Sequence, residues 1–292
     1  MADSTEWHSV RRGRGGARRG KLSQPEKPRP DESVDRARDR RRITEAIMTG
    51  NVCCTQSLLV EDVNNELRCE DFWTEWKEIM SGCLADTVDK TVEGPDCFME
   101  CVCYGLGNFS SSVSARYQLA MLLLLLDALQ IAVGRCSLYD PVFTVSECET
   151  LRELGFTVLS ENEEGKRAVH HPTLFYLMHC GKALYNNLLW KNWSPQILPK
   201  VIVLGNSFLG IQERMLQREL ERDYRFLSDV IDVCEETSLP CSQRFLDVFN
   251  DTAIIRFPSH KLHKLPESIW NEPSEPQYEH CQDLEIIQRE PK

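Results

Sequence analysis

The residues with the most chemical potential lie in four short turns. The first is Cys103, Tyr104, Gly105, Leu106, Gly107, Asn108, Phe109, followed by Ser110, Ser111 and Ser112. Two glycines after an apolar run let the backbone turn tightly and let a ligand approach, and serines that cap a helix present an N-terminus that favours an anion. A dinucleotide fingerprint would have a third glycine where Ser110 stands, and Cys103 sits where many methyltransferase-like turns carry an acid. The run fits a nucleotide-type pocket and equally a bare strand-to-helix turn. The second turn, Tyr139, Asp140, Pro141, ends a strand in an acid that can accept hydrogen bonds from ribose hydroxyls. Asp140 lies 33 residues after Gly107, against the usual ~20, and a turn-forming Asp before Pro would look the same.

The third turn is Met178, His179, Cys180, Gly181. A thiol at a helix N-terminus beside an imidazole can become a nucleophile. Adjacent strand residues point to opposite faces, however, and no orienting carboxylate or oxyanion hole is evident, so a structural or ligand-orienting role is preferred. In the fourth turn, Gly205, Asn206, Ser207, the polar side chains can bond a ligand or cap the next helix, and capping is the default. Gly105, Gly107, Ser110, Asp140, His179, Asn206 and Ser207 together make a candidate pocket for a nucleotide-type ligand.

Metal chemistry is poorly supported. There are 13 cysteines, but no paired CxxC knuckles, no HExxH helix and no Cys-Pro dipeptide. Haem is the weaker cofactor candidate, with His170, His171, His179 or an exposed cysteine as iron ligand. The odd cysteine count and the absence of an apolar leader predict reduced thiols in the cytosol or nucleus, most of them acting as small buried apolar residues.

Positioning these turns requires strands. Candidates are Phe98 to Cys103, Ser137 to Tyr139, Phe156 to Leu159, Leu174 to Met178, Val201 to Leu204 and Ala253 to Phe257. Helical patterns alternate with them at Ala115 to Val133, Ser146 to Leu154, Lys182 to Trp190, and a long charged stretch from Phe208 to Glu235. The alternation predicts parallel pairing through right-handed crossovers: an α/β, doubly wound, mostly parallel Rossmann-like sheet. Ser146 and Glu149 have capping-box spacing, Gly155 stands where a left-handed C-cap belongs, and the run Leu119 to Leu126 has no polar face. Shorter helices are expected at Asp39 to Met48 and Asp71 to Met80. In the latter, Trp73 and Trp76 read as a buried stripe rather than a stacking platform.

Charge separates the ends from the middle. The 292 residues carry a net −11, yet residues 1–42 hold 13 Lys plus Arg against 7 Asp plus Glu, a net +6 that leaves −17 for the remainder. Residues 1–42 therefore read as a basic disordered tail with weak nucleic-acid or anionic-surface affinity, or simply as a solvated extension or import signal. Residues 43–94 read as a helical extension, 95–258 as the α/β domain, and 259–292 as an acidic, proline-rich, poorly ordered tail. The most apolar run, Leu119 to Val133, contains Asp127 and Gln130 and falls short of a bilayer crossing, so no membrane span is expected. Composition excludes collagen-like and mucin-like chains.

Taken in order, the turns resemble the sensitivity-to-red-light-reduced family. The resemblance is carried by Cys103 to Gly107, Tyr139 to Thr144 and Pro172 to Cys180. It continues through Leu184, Tyr185, Asn187 to Leu189, Asn192, Trp193, Gly205 to Phe208, Phe249 to Ala253, and Phe257 with Pro258. It spans Pro95 to Pro258. The family's histidine motif reads Met-Pro-His-Cys, from which Leu177, Met178, His179, Cys180 departs. The resemblance implies a regulatory role. Plant members act in clock input and red-light response, fungal and animal members are linked to haem biosynthesis and clock-gene expression, and no enzyme activity is established. A non-enzymatic regulator of haem biosynthesis and circadian clock gene expression is thus expected, cytoplasmic and also nuclear, working through unknown protein partners. The alternative is an enzyme using an S-adenosylmethionine- or NAD-type cofactor in the Gly105/Asp140 pocket.

Overall fold

Short apolar runs bounded by turns assemble into one seven-stranded sheet in the computed structural model, which describes residues 52–85, 98–271, 273–278 and 281. The strands are β1 (Glu100–Tyr104), β2 (Cys136–Tyr139), β3 (Thr157–Val158), β4 (Thr173–Leu177), β5 (Val201–Asn206), β6 (Glu235–Ser238) and β7 (Thr252–Arg256), in the order β3-β2-β1-β4-β5-β7-β6. Strands β1 to β5 pair in parallel. The chain builds outward from β1 through β2 to β3, then returns to the other side of β1 for β4 and β5. The order therefore reverses between β1 and β4, where a doubly wound sheet opens a crevice beyond its strand ends. The fold is the expected α/β doubly wound, mostly parallel sheet.

Two apolar layers cover it. Alternation along β1 sends Cys101 and Cys103 to one face and Val102 and Tyr104 to the other. All five residues of β4 are buried, as a central parallel strand with both faces covered requires. On the first face lie α1 (Val52–Arg68), α2 (Asp71–Leu84), α3 (Val113–Ala128) and α4 (Val145–Glu153). Helix α3 is enclosed because α1 packs across it, with Asn64 Nδ2 donating to Ala120 O at 3.1 Å. Trp73 and Trp76 are buried stripe residues, and the Trp76 indole donates to Pro240 O at 2.7 Å. On the second face lie α5 (Lys182–Lys191), α6 (Phe208–Glu213), α7 (Gln217–Asp223) and α8 (Arg225–Ile231). The remaining short helices are α9 (Leu246–Phe249) and α10 (Ser259–Leu262).

Four expectations change. The long helix from Phe208 to Glu235 is three short ones followed by β6. A single 28-residue helix would run about 42 Å, far beyond strands of about 17 Å, whereas the breaks let Phe208, Leu220 and Leu227 all turn inward. Strand β6 is polar and lies at the sheet margin, so its sequence has no apolar alternation to reveal it. Strand β7 is antiparallel to both neighbours, because the return from β6 contains only short helical turns and no crossover. The capping box at the start of α4 is Thr144 with Glu147, two residues earlier than Ser146 with Glu149. Gly155 does take the left-handed conformation, at φ 93°. The expected helix at Asp39 to Met48 lies outside the described residues. The described part of the stretch after Pro258 packs on the second face rather than lying free, with Leu262 and Tyr278 buried.

Candidate functional site

Parallel pairing in register brings the ends of β1, β2 and β4 to one rim: Tyr104 is level with Tyr139, and Cys103 with Tyr176. Gly107, Asp140 and His179 follow these ends. The structure thus gathers the turns that the sequence singled out, and it shows what each one holds.

Gly105 and Gly107 both take left-handed backbone conformations, φ 68° and 81°. Gly107 N donates to Asp140 Oδ2 at 2.7 Å, while Val142 N donates to Asp140 Oδ1 at 2.9 Å. The Asp140 carboxylate is therefore a brace between the two turns, with each oxygen bonded to a backbone amide. Ser110 N donates to Glu147 Oε1 at 2.8 Å, and Glu147 Oε2 accepts from Thr144 N and from Thr144 Oγ1, both at 2.9 Å. Glu147 is fully buried, a charge tolerable there because amides and a hydroxyl surround it. Arg116 closes the same loop by donating to Phe109 O and Ser110 O at 3.2 and 3.0 Å.

His179 and Cys180 part company as expected of neighbours on a strand end. The exposed His179, at φ 52°, donates from Nε2 to Val248 O at 2.9 Å and so ties β4 to α9. Cys180 turns to the second face, where its thiol bonds Tyr104 O at 3.3 Å. A Cβ on Gly105 would stand 2.6 Å from Cys180 Sγ, so the thiol occupies the space that the glycine leaves. His170 and His171 precede β4 at the opposite end of the sheet, where His171 stacks on Phe98 at 4.9 Å between ring centres. They cannot join His179 in one site.

At the end of β5, Asn206 N donates to the Tyr185 hydroxyl at 2.9 Å, and that hydroxyl donates to Leu177 O at 2.6 Å. Gly205 is glycine for this reason: a Cβ there would lie 2.6 Å from both oxygens. Asn206 Nδ2 donates to Cys180 O at 3.1 Å. Ser207 caps α6 by accepting from Gly210 N at 2.8 Å, and its hydroxyl donates to Glu236, whose other oxygen takes the amides of Phe208 and Leu209. The default capping role of Ser207 is what is seen.

Burial pushes the Cys103 thiol well up, reinforced by Cys101, Cys180 and Asp140, so Cys103 stays protonated. Burial likewise raises the Tyr185 hydroxyl, and the Tyr104 hydroxyl is raised by burial and then by its bond to Glu163. Cys101, Cys103, Cys136 and Cys234 are buried, Cys69 is exposed, and Cys83, Cys148, Cys180, Cys241 and Cys281 are intermediate. Among the described residues no group of three or more His, Cys, Asp or Glu is placed to hold a metal, and no helix is long and apolar enough to cross a membrane.

Three residues central to this rim were not singled out as site residues by the sequence. Glu147 is the N3 residue of the Thr144 capping box, a spacing the sequence carries; Tyr185 enters only through the family resemblance; Glu236 has no signal, because its strand has none.

The SRR1 domain model matches residues 84–256. An SRR1-like protein of Mus musculus is 53% identical over 135 residues, covering 46% of this chain and 54% of that protein. An SRR1-like protein of Drosophila melanogaster is 36% identical over 162 residues, 55% of this chain and 56% of the relative. The Protein SENSITIVITY TO RED LIGHT REDUCED 1 of Arabidopsis thaliana is 32% identical over 150 residues, 51% of this chain and 54% of the relative. The chain thus spans little more than half the length of the curated relatives it matches. No solved structure matches it. All the rim turns, from Gly105 to Asp251, fall inside the matched segment, and the chain belongs to the SRR1 domain family.

Proposed function

We propose that this chain is a non-enzymatic regulator. Its α/β domain acts through the rim described above, binding a partner or small ligand, and thereby alters haem biosynthesis and circadian clock gene expression in the cytoplasm and nucleus. One observation carries the non-enzymatic part: the amides that a phosphate would engage and the carboxylate that a ribose would engage are already bonded within the chain, Gly107 N to Asp140 and Ser110 N to Glu147. A cofactor would have to displace charge-assisted bonds that the fold has already made. Family membership supports a regulatory direction, and the Arabidopsis relative's name ties that protein to red-light sensitivity. The test is depletion of the protein in cells, with haem content and a clock reporter as readouts. Restoration by the wild-type chain, and not by Asp140→Asn, is the expected result. An unchanged haem content and clock period on depletion overturns the reading.

A second reading has its own observation. Two left-handed glycines beside an acid, at the point where strand order reverses, is the placement a nucleotide cofactor uses. Calorimetry against S-adenosylmethionine and NAD decides: absence of binding below about millimolar, ~4 kcal/mol, removes it. Turnover that is lost on Gly107→Ala would establish it instead.

A further inference from the structure

The segment after Pro258 lies beyond the matched domain, which ends at residue 256, yet it is bonded into the second face at four places. Trp193 Nε1 donates to Ile269 O at 2.8 Å and Trp190 Nε1 to Pro273 O at 3.0 Å. Lys166 Nζ pairs with Glu275 at 2.7 Å. The buried Tyr278 hydroxyl accepts from Asn186 Nδ2 at 3.0 Å and donates to Asn187 Oδ1 at 2.8 Å, with its ring against Tyr224. Asn186 and Asn187 are themselves buried in α5, so Tyr278 satisfies polar groups that otherwise have little recourse to water.

Helix α5 is also the element that supports the rim. Tyr185, on the same helix, bridges Leu177 O and Asn206 N at the ends of β4 and β5. Asn187 Nδ2 donates to Glu164 O, holding the loop between β3 and β4, whose Glu163 accepts the hydroxyl of Tyr104 at the end of β1. Gly165 in that loop has no room for a side chain, since a Cβ would lie 2.7 Å from Leu184 O. The strap, α5, the loop and three strand ends thus form a continuous bonded path.

We infer that residues 259–271 and 273–278 are a conformational strap whose docking through Tyr278 sets the geometry of the rim, so that its release loosens the ends of β1, β4 and β5 together. This holds whatever the rim binds. Two states are involved, docked and released, and the bonds of Asn186 and Asn187 differ between them, which gives the coupling a physical basis.

The test is amide hydrogen exchange on the full chain carrying Tyr278→Ala, and separately Tyr278→Phe, which keeps the ring packing and removes only the hydroxyl. Exchange is expected to quicken on the order of tenfold in α5 and at rim residues 104–110 and 205–208, with residues 119–126 on the opposite face unchanged. Tyr278→Phe should move the same segments by less. Faster exchange confined to the strap and α5, with the rim unaffected, overturns the inference, as does uniform acceleration across both faces in Tyr278→Phe. Should Tyr278→Ala fail to fold, Tyr278→Phe decides alone.

Discussion

Replacing Gly105 by alanine probes whether the rim is filled by the chain itself. Two penalties are separable in the structure. At φ 68° an alanine carries the left-handed cost of roughly 1–2 kcal/mol. Its methyl would also stand 2.6 Å from Cys180 Sγ, well inside the ~3.5–4 Å of an ordinary contact, so the thiol must swing away and give up its bond to Tyr104 O. Overpacking of this kind costs about 1–3 kcal/mol, for a total of about 2–5 kcal/mol. Urea unfolding followed by fluorescence and circular dichroism, with a constant m-value, measures it. The cycle with Cys180→Ala separates the parts: in that background the Gly105 substitution should cost only the left-handed component, leaving a coupling of about 1–3 kcal/mol. An equal cost in both backgrounds would refute the claim that the Cys180 thiol fills the glycine's space. A total below ~1 kcal/mol would refute the left-handed turn itself.

Two further predictions concern buried groups. Glu147→Gln places an NH2 against one of the N–H groups that the carboxylate now accepts, whichever way the amide points, so a loss of about 2–3 kcal/mol is expected by chemical denaturation, with faster exchange at Ser110. Burial pushes the Cys234 thiol up to about 12 from an ordinary 9.0. Between those values the unfolded chain has released this proton and the folded chain retains it. Stability therefore falls as pH rises through this window, by up to ~1.4 kcal/mol per pH unit from this thiol, with Cys103 and Cys136 adding in the same sense. Cys234→Ala should show a shallower decline between pH 9 and 11; an identical slope would remove the thiol from the account.

The sheet was legible because a doubly wound parallel sheet advertises itself. Its central strands must be apolar on both faces, and runs such as Thr173–Leu177 and Val201–Asn206 leave little else to choose. Strand β6 was not legible, since Glu235 to Ser238 meets one neighbour and has no inward face to fill. The break-up of the helix after Phe208 was hidden for a related reason: its charged residues satisfy helical periodicity, and only the dimensions of the sheet forbid one long rod. At the rim, residue types told which turns matter but not which partner each group chooses. Asp140 lies beside Gly107, but that its oxygens face amides depends on a bond between residues 33 apart. Tyr278 was hidden more completely, because a lone tyrosine in a stretch of acids and prolines reads as solvent-facing until two buried asparagines are seen waiting for it.

The two margins of the sheet bear on how this protein meets others. One ends in β3, only two residues long; the other in β6, where Glu235 is held by Arg256 and Lys261 and Glu236 by the start of α6. A foreign β-segment looking for open ladder groups would find too short a template on one side and, on the other, a short polar strand whose carboxylates are already engaged. Growth of the sheet from molecule to molecule is thereby discouraged.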